Sequence, residues 1–185
     1  MKQFYDTFHA FIGPVTLVME EEIVKGIFLL PESWDQYQLR GETELVHDPI
    51  LLRGPVDQMR EYFQGNRQVF SFPVFLEGPE FTRQVWHAVS KIPYGQTRSY
   101  AEIASVVGKP TACRAVGQAN RRNPLPIVIP CHRVIGSKGQ LVGFNGNHTD
   151  VKQLLLDHER KYRFSSVNQS HPRFSCSMPS APPTG

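Results

Sequence analysis

Ala112-Cys113-Arg114-Ala115-Val116-Gly117-Gln118-Ala119-Asn120-Arg121-Arg122 runs directly into Asn123-Pro124-Leu125-Pro126-Ile127-Val128-Ile129-Pro130-Cys131-His132-Arg133-Val134-Ile135-Gly136. The first half reads as a helix that Thr111 can cap. It is rich in small residues (Ala112, Cys113, Ala115, Gly117, Ala119) and carries three arginines, Arg114, Arg121 and Arg122. Small residues let a backbone come close to another surface, and arginines supply phosphate or base contacts. Tight helix packing would explain the alanines and glycine but not the arginines. In the second half the prolines break any helix, and residues 127–129 read as a short buried strand. Cys131 therefore falls where an apolar segment meets a turn.

Upstream, residues 100–107 form a helical pattern that stops at Gly108-Lys109-Pro110. Thr97 or Ser99 can cap it, with Glu102 placed to complete a capping box from Ser99. Helix, short glycine-containing turn and helix together make a helix-turn-helix pattern. Residues 81–90 are amphipathic, with Phe81, Val85, Trp86 and Val89 on one face, and Ile92-Pro93-Tyr94-Gly95 ends them. Gly78-Pro79 marks a boundary. Before it, residues 11–19 and 23–29 are β-rich and separated by Glu20-Glu21-Glu22, a hairpin pattern. Residues 31–48 are polar and read as loop-rich. From Asp48 or Pro49 a helical pattern places Leu51, Leu52, Val56, Met59, Tyr62 and Phe63 at spacings of three and four, and Gly65-Asn66 stops it. Residues 69–74 read as a short strand or extended linker.

Downstream, Gly139, Gly143 and Gly146 point to a flexible loop, and residues 151–158 to a last helix followed by Glu159. Beyond Phe164 the chain is rich in Ser and Pro, and residues 164–185 are expected to be a disordered tail. The organisation expected is an α+β unit over 1–77, a mainly helical unit over 78–163, and the tail.

Of the 185 residues, 40% are hydrophobic, which suits a globular core. No apolar run approaches the roughly 18 residues that span a bilayer. The first residues lack the pattern of a secretory signal, so a cytoplasmic location is expected. The three cysteines, Cys113, Cys131 and Cys176, fit neither a disulfide framework nor a CxxC metal knuckle. Charge is unevenly divided. Residues 1–80 hold 6 basic against 13 acidic residues, a balance of −7, whereas residues 81–163 hold 13 against 4, a balance of +9. Such a change of sign along a chain is a hint of a polyanion-binding half.

A thiol becomes a competent nucleophile as the thiolate, which a nearby His, cation or helix N-terminus favours. His132 and Arg133 adjoin Cys131 in sequence, and Glu159 or Asp157 can orient the imidazole. These residue types allow a nucleophilic Cys131 or a buried, inert one.

At this point the stretches VWHAVSKIPYGQTRSYAEIA, CRAVGQANRRNP, IVIPCHRVIG and LLLDHE, spread between Phe81 and Glu159, resemble the O6-alkylguanine-DNA alkyltransferases. These are also called methylated-DNA–protein-cysteine methyltransferases. Before Phe81 the resemblance is looser, carried by Tyr62-Phe63-Gln64-Gly65 and the spacing to Phe81. The resemblance implies a ribonuclease H-like α+β N-terminal domain and a mainly helical, winged helix-turn-helix-like C-terminal domain. It implies double-stranded DNA containing alkylated guanine as partner, approached from the minor groove by the helix bearing Ala115 and Gly117. The base would be flipped into a pocket, at a cost of a few kcal/mol in lost stacking.

The same resemblance makes Cys131 the acceptor of the alkyl group, His132 a water-linked base, Glu159 its orienting carboxylate and Asn123 a hinge between helix and active-site turn. Arg114 would fill the vacated stack, Tyr100 bear on the flipped nucleotide, and Arg121 contact backbone phosphate. Pro126 and Val134 would wall the pocket, with the Val134 and Cys131 carbonyls accepting from the guanine amine. Phe144 stands where the family often has Tyr, Asn145 where a small residue is usual, its amide either contacting guanine O6 or narrowing the pocket, and Asn147 where a second Gly is common. The implied reaction is single and irreversible, on O6-alkylguanine and by extension O4-alkylthymine, by a monomer without cofactor, metal or membrane. Cys113 is expected to be a packing residue.

Three other readings stay open. Alkyltransferase-like lesion sensors have Trp at the cysteine position and usually lack the N-terminal domain. A DNA-binding regulator would use Cys131 as a sensor thiol. A thiol hydrolase would need turnover and an oxyanion pocket, and the sequence indicates neither.

Overall fold

In the computed structural model, residues 2–41, 43–142 and 148–163 are described. The chain opens with β1 (Lys2–Ala10), β2 (Gly13–Glu20) and β3 (Ile23–Phe28), an antiparallel meander. Helix α1 (Pro31–Leu39) then carries the chain across to β4 (Glu44–His47), which lies parallel to β1. The result is a mixed four-stranded sheet in the order β3-β2-β1-β4. Glu21 and Glu22, both at positive φ (48° and 65°), make the tight turn between β2 and β3. Such turns match the twist of the flanking strands.

Two expectations for this part are corrected. The first strand precedes the hairpin and pairs with it. Residues 31–48, read as loop, form a helix and an edge strand. Helix α1 buries no residue, so its pattern lacks the apolar stripe that signals a helix. Proline at its first turn and the Trp34–Tyr37 stack mark it instead.

Asp48 Oδ1 accepts from the Ile50 and Leu51 backbone N–H groups at 3.1 and 2.9 Å, turning the chain into α2 (Arg53–Phe63). Helix α2 buries Val56, Met59 and Tyr62. Gly65, at φ +81°, closes it, and a Cβ there would lie 2.4 Å from the Tyr162 ring. The 69–74 segment is extended, and the Val24 N–H donates to Pro73 O at 3.0 Å.

Helix α3 (Glu80–Ser90) packs beneath α4 (Tyr100–Val106) and α5 (Cys113–Arg121). Ser99 caps α4 in the expected capping box with Glu102. Ala112, not Thr111, caps α5, and no side chain bonds the helix end. The Trp86 indole N–H donates to Ala119 O at 2.8 Å and fixes α5 on α3. Residues 127–129 are not a strand. Ile127 sits at φ +76°, and Ile129 N–H donates back to Leu125 O at 2.8 Å, making a tight buried turn. A 3-10 turn follows over Cys131–Arg133, then β6 (Val134–Ile135), parallel to β5 (Arg98–Ser99). Helix α6 (Thr149–Tyr162) extends beyond the expected residues at both ends.

The buried apolar core runs without interruption from the sheet through α2 and α3 to the Cys131 turn and α6. The sheet also bonds to the segment before Cys131, as Ile27 N–H donates to Pro124 O at 2.9 Å. The fold is α+β, with six α-helices among the described residues. Among those residues no helix is long and apolar enough to cross a membrane.

Candidate active site

Cys131 opens the 3-10 turn and is 6% exposed. Its position is held from both sides of the chain. The Asn123 amide donates to Ile129 O at 2.8 Å while its Oδ1 accepts from Leu125 N–H at 3.0 Å, so one side chain clamps the whole 123–129 loop. Cys131 N–H donates to Ile129 O at 2.7 Å and Arg133 N–H to Pro130 O at 2.9 Å.

Glu159, fully buried on α6, organises the turn. Its Oε1 accepts from His132 Nε2, the Tyr62 hydroxyl and Arg133 Nη2 at 2.8, 2.8 and 2.7 Å. Its Oε2 accepts from Arg133 Nε at 2.8 Å and Gly95 N–H at 3.0 Å. A carboxylate in this setting only accepts, so His132 carries its proton on Nε2 and leaves Nδ1 as a lone pair. That Nδ1 is buried and makes no hydrogen bond to another described residue. Asp157, the other acid considered as orienting group, is half-exposed and pairs with Arg160.

Burial alone would raise the Glu159 carboxyl, but His132 and Arg133 outweigh it and hold it well below the usual carboxylate range. Burial depresses His132 below 6.5 despite Glu159. Burial also pushes the Cys131 thiol above its ordinary 9.0, against the opposing pull of Asn123, Lys152 and nearby backbone N–H groups. The resting pair is therefore a neutral thiol and a neutral imidazole.

The structure brings together most of the expected residues. Tyr100 stands over α5, with its Cε1 3.8 Å from where a Cβ on Gly117 would be, and its hydroxyl donates to Val142 O at 2.9 Å. Burial and then the neighbouring Cys131 raise its phenol. Pro126 and Val134 are buried beside the turn. Arg114, Ala115 and Arg121 are exposed along one side of α5. Phe144, Asn145 and Asn147, the Gly143 and Gly146 loop positions, and the 164–185 tail lie outside the described residues. Cys113 is half-buried, its Sγ 3.9 Å from Pro110 O.

Four residues to which the sequence reading gave no site role belong to the site. Lys152 is fully buried, donating to Val134 O at 2.6 Å and Val142 O at 3.0 Å, and burial lowers its amine to about 8. Arg133 neutralises Glu159 and also donates to Ile92 O at 2.6 Å. Tyr62 and Asn120 complete the set. A signal existed, because Lys152, Leu155, Leu156 and Glu159 form one stripe at helical spacing, as do Val116, Ala119, Asn120 and Asn123. Polar residues on an otherwise buried stripe require partners.

The site thus joins a buried thiol to an adjoining histidine–carboxylate pair, next to a helix with exposed arginines. Comparison with known proteins makes this specific. Residues 80–161 match the family described as 6-O-methylguanine DNA methyltransferase, DNA binding domain. The chain is 44% identical over 158 residues to the constitutive methylated-DNA–protein-cysteine methyltransferase of Bacillus subtilis, covering 85% of this chain and 95% of that one. It is 49% identical over 156 residues to that of Mycobacterium leprae, covering 84% and 92%. The crystal structure of Mycobacterium tuberculosis OGT in complex with DNA superposes with a TM-score of 0.77 at 40% identity, covering 86% of this chain and 94% of that one. The chain belongs to the methylated-DNA–protein-cysteine methyltransferase family.

Proposed function

We propose that the protein repairs alkylated DNA by moving the alkyl group of O6-alkylguanine onto Cys131. The observation that carries this reading is the buried turn that opens on Cys131, in which the next residue, His132, is held through Nε2 by Glu159 and keeps Nδ1 without a partner among the described residues. The thiol proton passes to His132 Nδ1, through a bridging water. Sγ attacks the alkyl carbon, the carbon–O6 bond breaks, and its electron pair stays on O6. The proton held by His132 is delivered to the departing guanine. Glu159 keeps Nδ1 free and stabilises the imidazolium that forms, as an orienting carboxylate does in nucleophile–base systems. The thioether is stable and leaves no thiol, so each molecule acts once, with no cofactor.

DNA is the partner in this reading. The α4–α5 pair is a helix-turn-helix within a winged arrangement, and the sheet with α1 and α2 is a ribonuclease H-like unit. The units divide near residue 78. A methyl group at Gly117 would meet only Tyr100 at 3.8 Å, so the protein's own packing does not demand glycine there. With exposed Ala115 this gives α5 a low-relief edge suited to a minor groove. Arg114 fills the stack left by the flipped base, Tyr100 bears on the flipped nucleotide, and Arg121 contacts phosphate. Pro126 and Val134 line the pocket. The protein acts as a cytoplasmic monomer.

Incubation with excess duplex carrying O6-methylguanine tests this. Restored guanine should plateau at one equivalent per protein molecule. Continued turnover, or no guanine formed, would reject it.

A further inference from the structure

Helix α5 buries Val116, Ala119 and Asn120, and on the side away from them Arg114, Ala115, Gln118, Arg121 and Arg122 are exposed. Elsewhere in the fold Arg53 pairs with Asp57, Arg83 with Glu80, Arg98 with Glu102 and Arg160 with Asp157. On α5 the side chains of Arg114, Gln118, Arg121 and Arg122 make no hydrogen bond or ion pair with another described residue. Gln118 is the one long uncharged side chain of this face, and its amide is left to bond outside the chain.

Gln118 follows Arg114 by one turn, about 6 Å along the helix axis at 1.5 Å per residue. Base pairs stack about 3.4 Å apart, so a helix that puts Arg114 into the vacated stack sets Gln118 within two base pairs of the lesion. A primary amide offers an acceptor oxygen and a donor NH2 side by side, whereas a guanidinium only donates. In the minor groove an A·T pair shows acceptors alone, and a G·C pair adds the guanine 2-amino donor. A G·C pair therefore engages both ends of the amide, and an A·T pair one.

We propose that Gln118 is a specificity-determining residue that reads the sequence around the lesion. Its Oε1 accepts from the 2-amino group, and its Nε2 donates to N3, of a guanine in a base pair flanking the alkylated one. The contact is with an intact pair of the duplex, apart from the flipped base and its pocket. The inference rests on the alkyl-transfer reading above.

The test uses duplexes in which O6-methylguanine is flanked by G·C pairs. Each of the two pairs on either side is replaced in turn by inosine·C, which lacks only the guanine 2-amino group. Single-turnover transfer by the wild-type protein and binding by Cys131→Ser are measured on each duplex, with and without Gln118→Ala. At one flanking position inosine should lower both quantities by about fivefold, the discrimination one hydrogen bond supplies. In Gln118→Ala the effect at that position should shrink to that of the other three, because the G·C duplex loses and the inosine duplex does not. The weaker pairing of inosine is common to both proteins and cancels in this comparison. Equal loss at all four positions in the wild-type protein, the same position-dependent loss in Gln118→Ala, or a uniform loss on every duplex in that variant, as a phosphate contact would give, overturns the proposal. Position-dependent binding that needs Gln118, without any transfer by the wild-type protein, would support it and strike the alkyl-transfer reading instead.

Discussion

The Tyr62 hydroxyl donates a 2.8 Å hydrogen bond to Oε1 of Glu159, 97 positions further along the chain. The same tyrosine's carbonyl lies 2.8 Å from His158 Nε2, which donates to it. Helix α2 is thus bonded twice to the helix that orients His132, and the sheet side of the molecule becomes a support for the acceptor turn. Tyr62→Phe removes one donor and keeps the ring. It should cost about 1.5–3 kcal/mol of unfolding free energy, the range for hydrogen bonds to charged groups. Urea denaturation measures this, and single-turnover transfer should slow in parallel.

Glu159 and Asp157 are two residues apart, yet only one belongs to the site. Glu159→Gln leaves the Arg133 guanidinium buried without its counter-charge, a loss of about 3–5 kcal/mol for a broken buried pair. It also releases His132 from a fixed tautomer. Asp157→Asn, whose partner Arg160 is largely exposed, should change stability by less than about 1 kcal/mol and leave transfer intact. Equal effects from the two variants would contradict the assignment.

Stability should depend on pH on both flanks. The Glu159 and His132 values are depressed in the folded state, so their contributions are present above 4.5 and 6.5 respectively and are lost as pH falls. The Cys131 value is raised, so its contribution is full below 9.0 and is lost as pH rises through the folded value. Cys131→Ser should therefore flatten the melting curve just above pH 9, before the tyrosines Tyr62 and Tyr94 begin to titrate. The same neutral thiol should react slowly with iodoacetamide near pH 7, and faster only on the alkaline side.

Salt and substrate form separate the roles of the arginines. Arg121→Ala should reduce the slope of log affinity against log salt by about one, as loss of a phosphate contact does. Arg114→Ala should slow repair of duplex by about tenfold or more, since the vacated stack is no longer filled, and leave reaction with free O6-methylguanine unchanged.

The sequence made the chemistry legible where residue type and spacing are local. The capping box of Ser99 and Glu102, the breaker at Gly108 and the Pro130-Cys131-His132-Arg133 turn are all short-range signals. It hid what depends on distant partners. Residues 127–129 have the apolar character of a strand, but Asn123 and the Leu125 carbonyl draw them into a turn. Helix α1 lacks a buried stripe, and β1 was set by its pairing with β2 and β4. Lys152 and Asn120 look like surface residues until the carbonyls they satisfy are seen, and Arg133 shows its bond to the Glu159 carboxylate only in the fold.

The central claim is that Cys131, and no other thiol, receives the alkyl group. Duplex DNA bearing O6-methylguanine with a labelled methyl group, incubated with the protein and followed by peptide mapping, measures it directly. The account predicts one label per molecule, on the peptide containing Cys131, and none transferred to Cys131→Ala. Label on Cys113 or Cys176, label remaining on the DNA, or undiminished transfer by Cys131→Ala would contradict it.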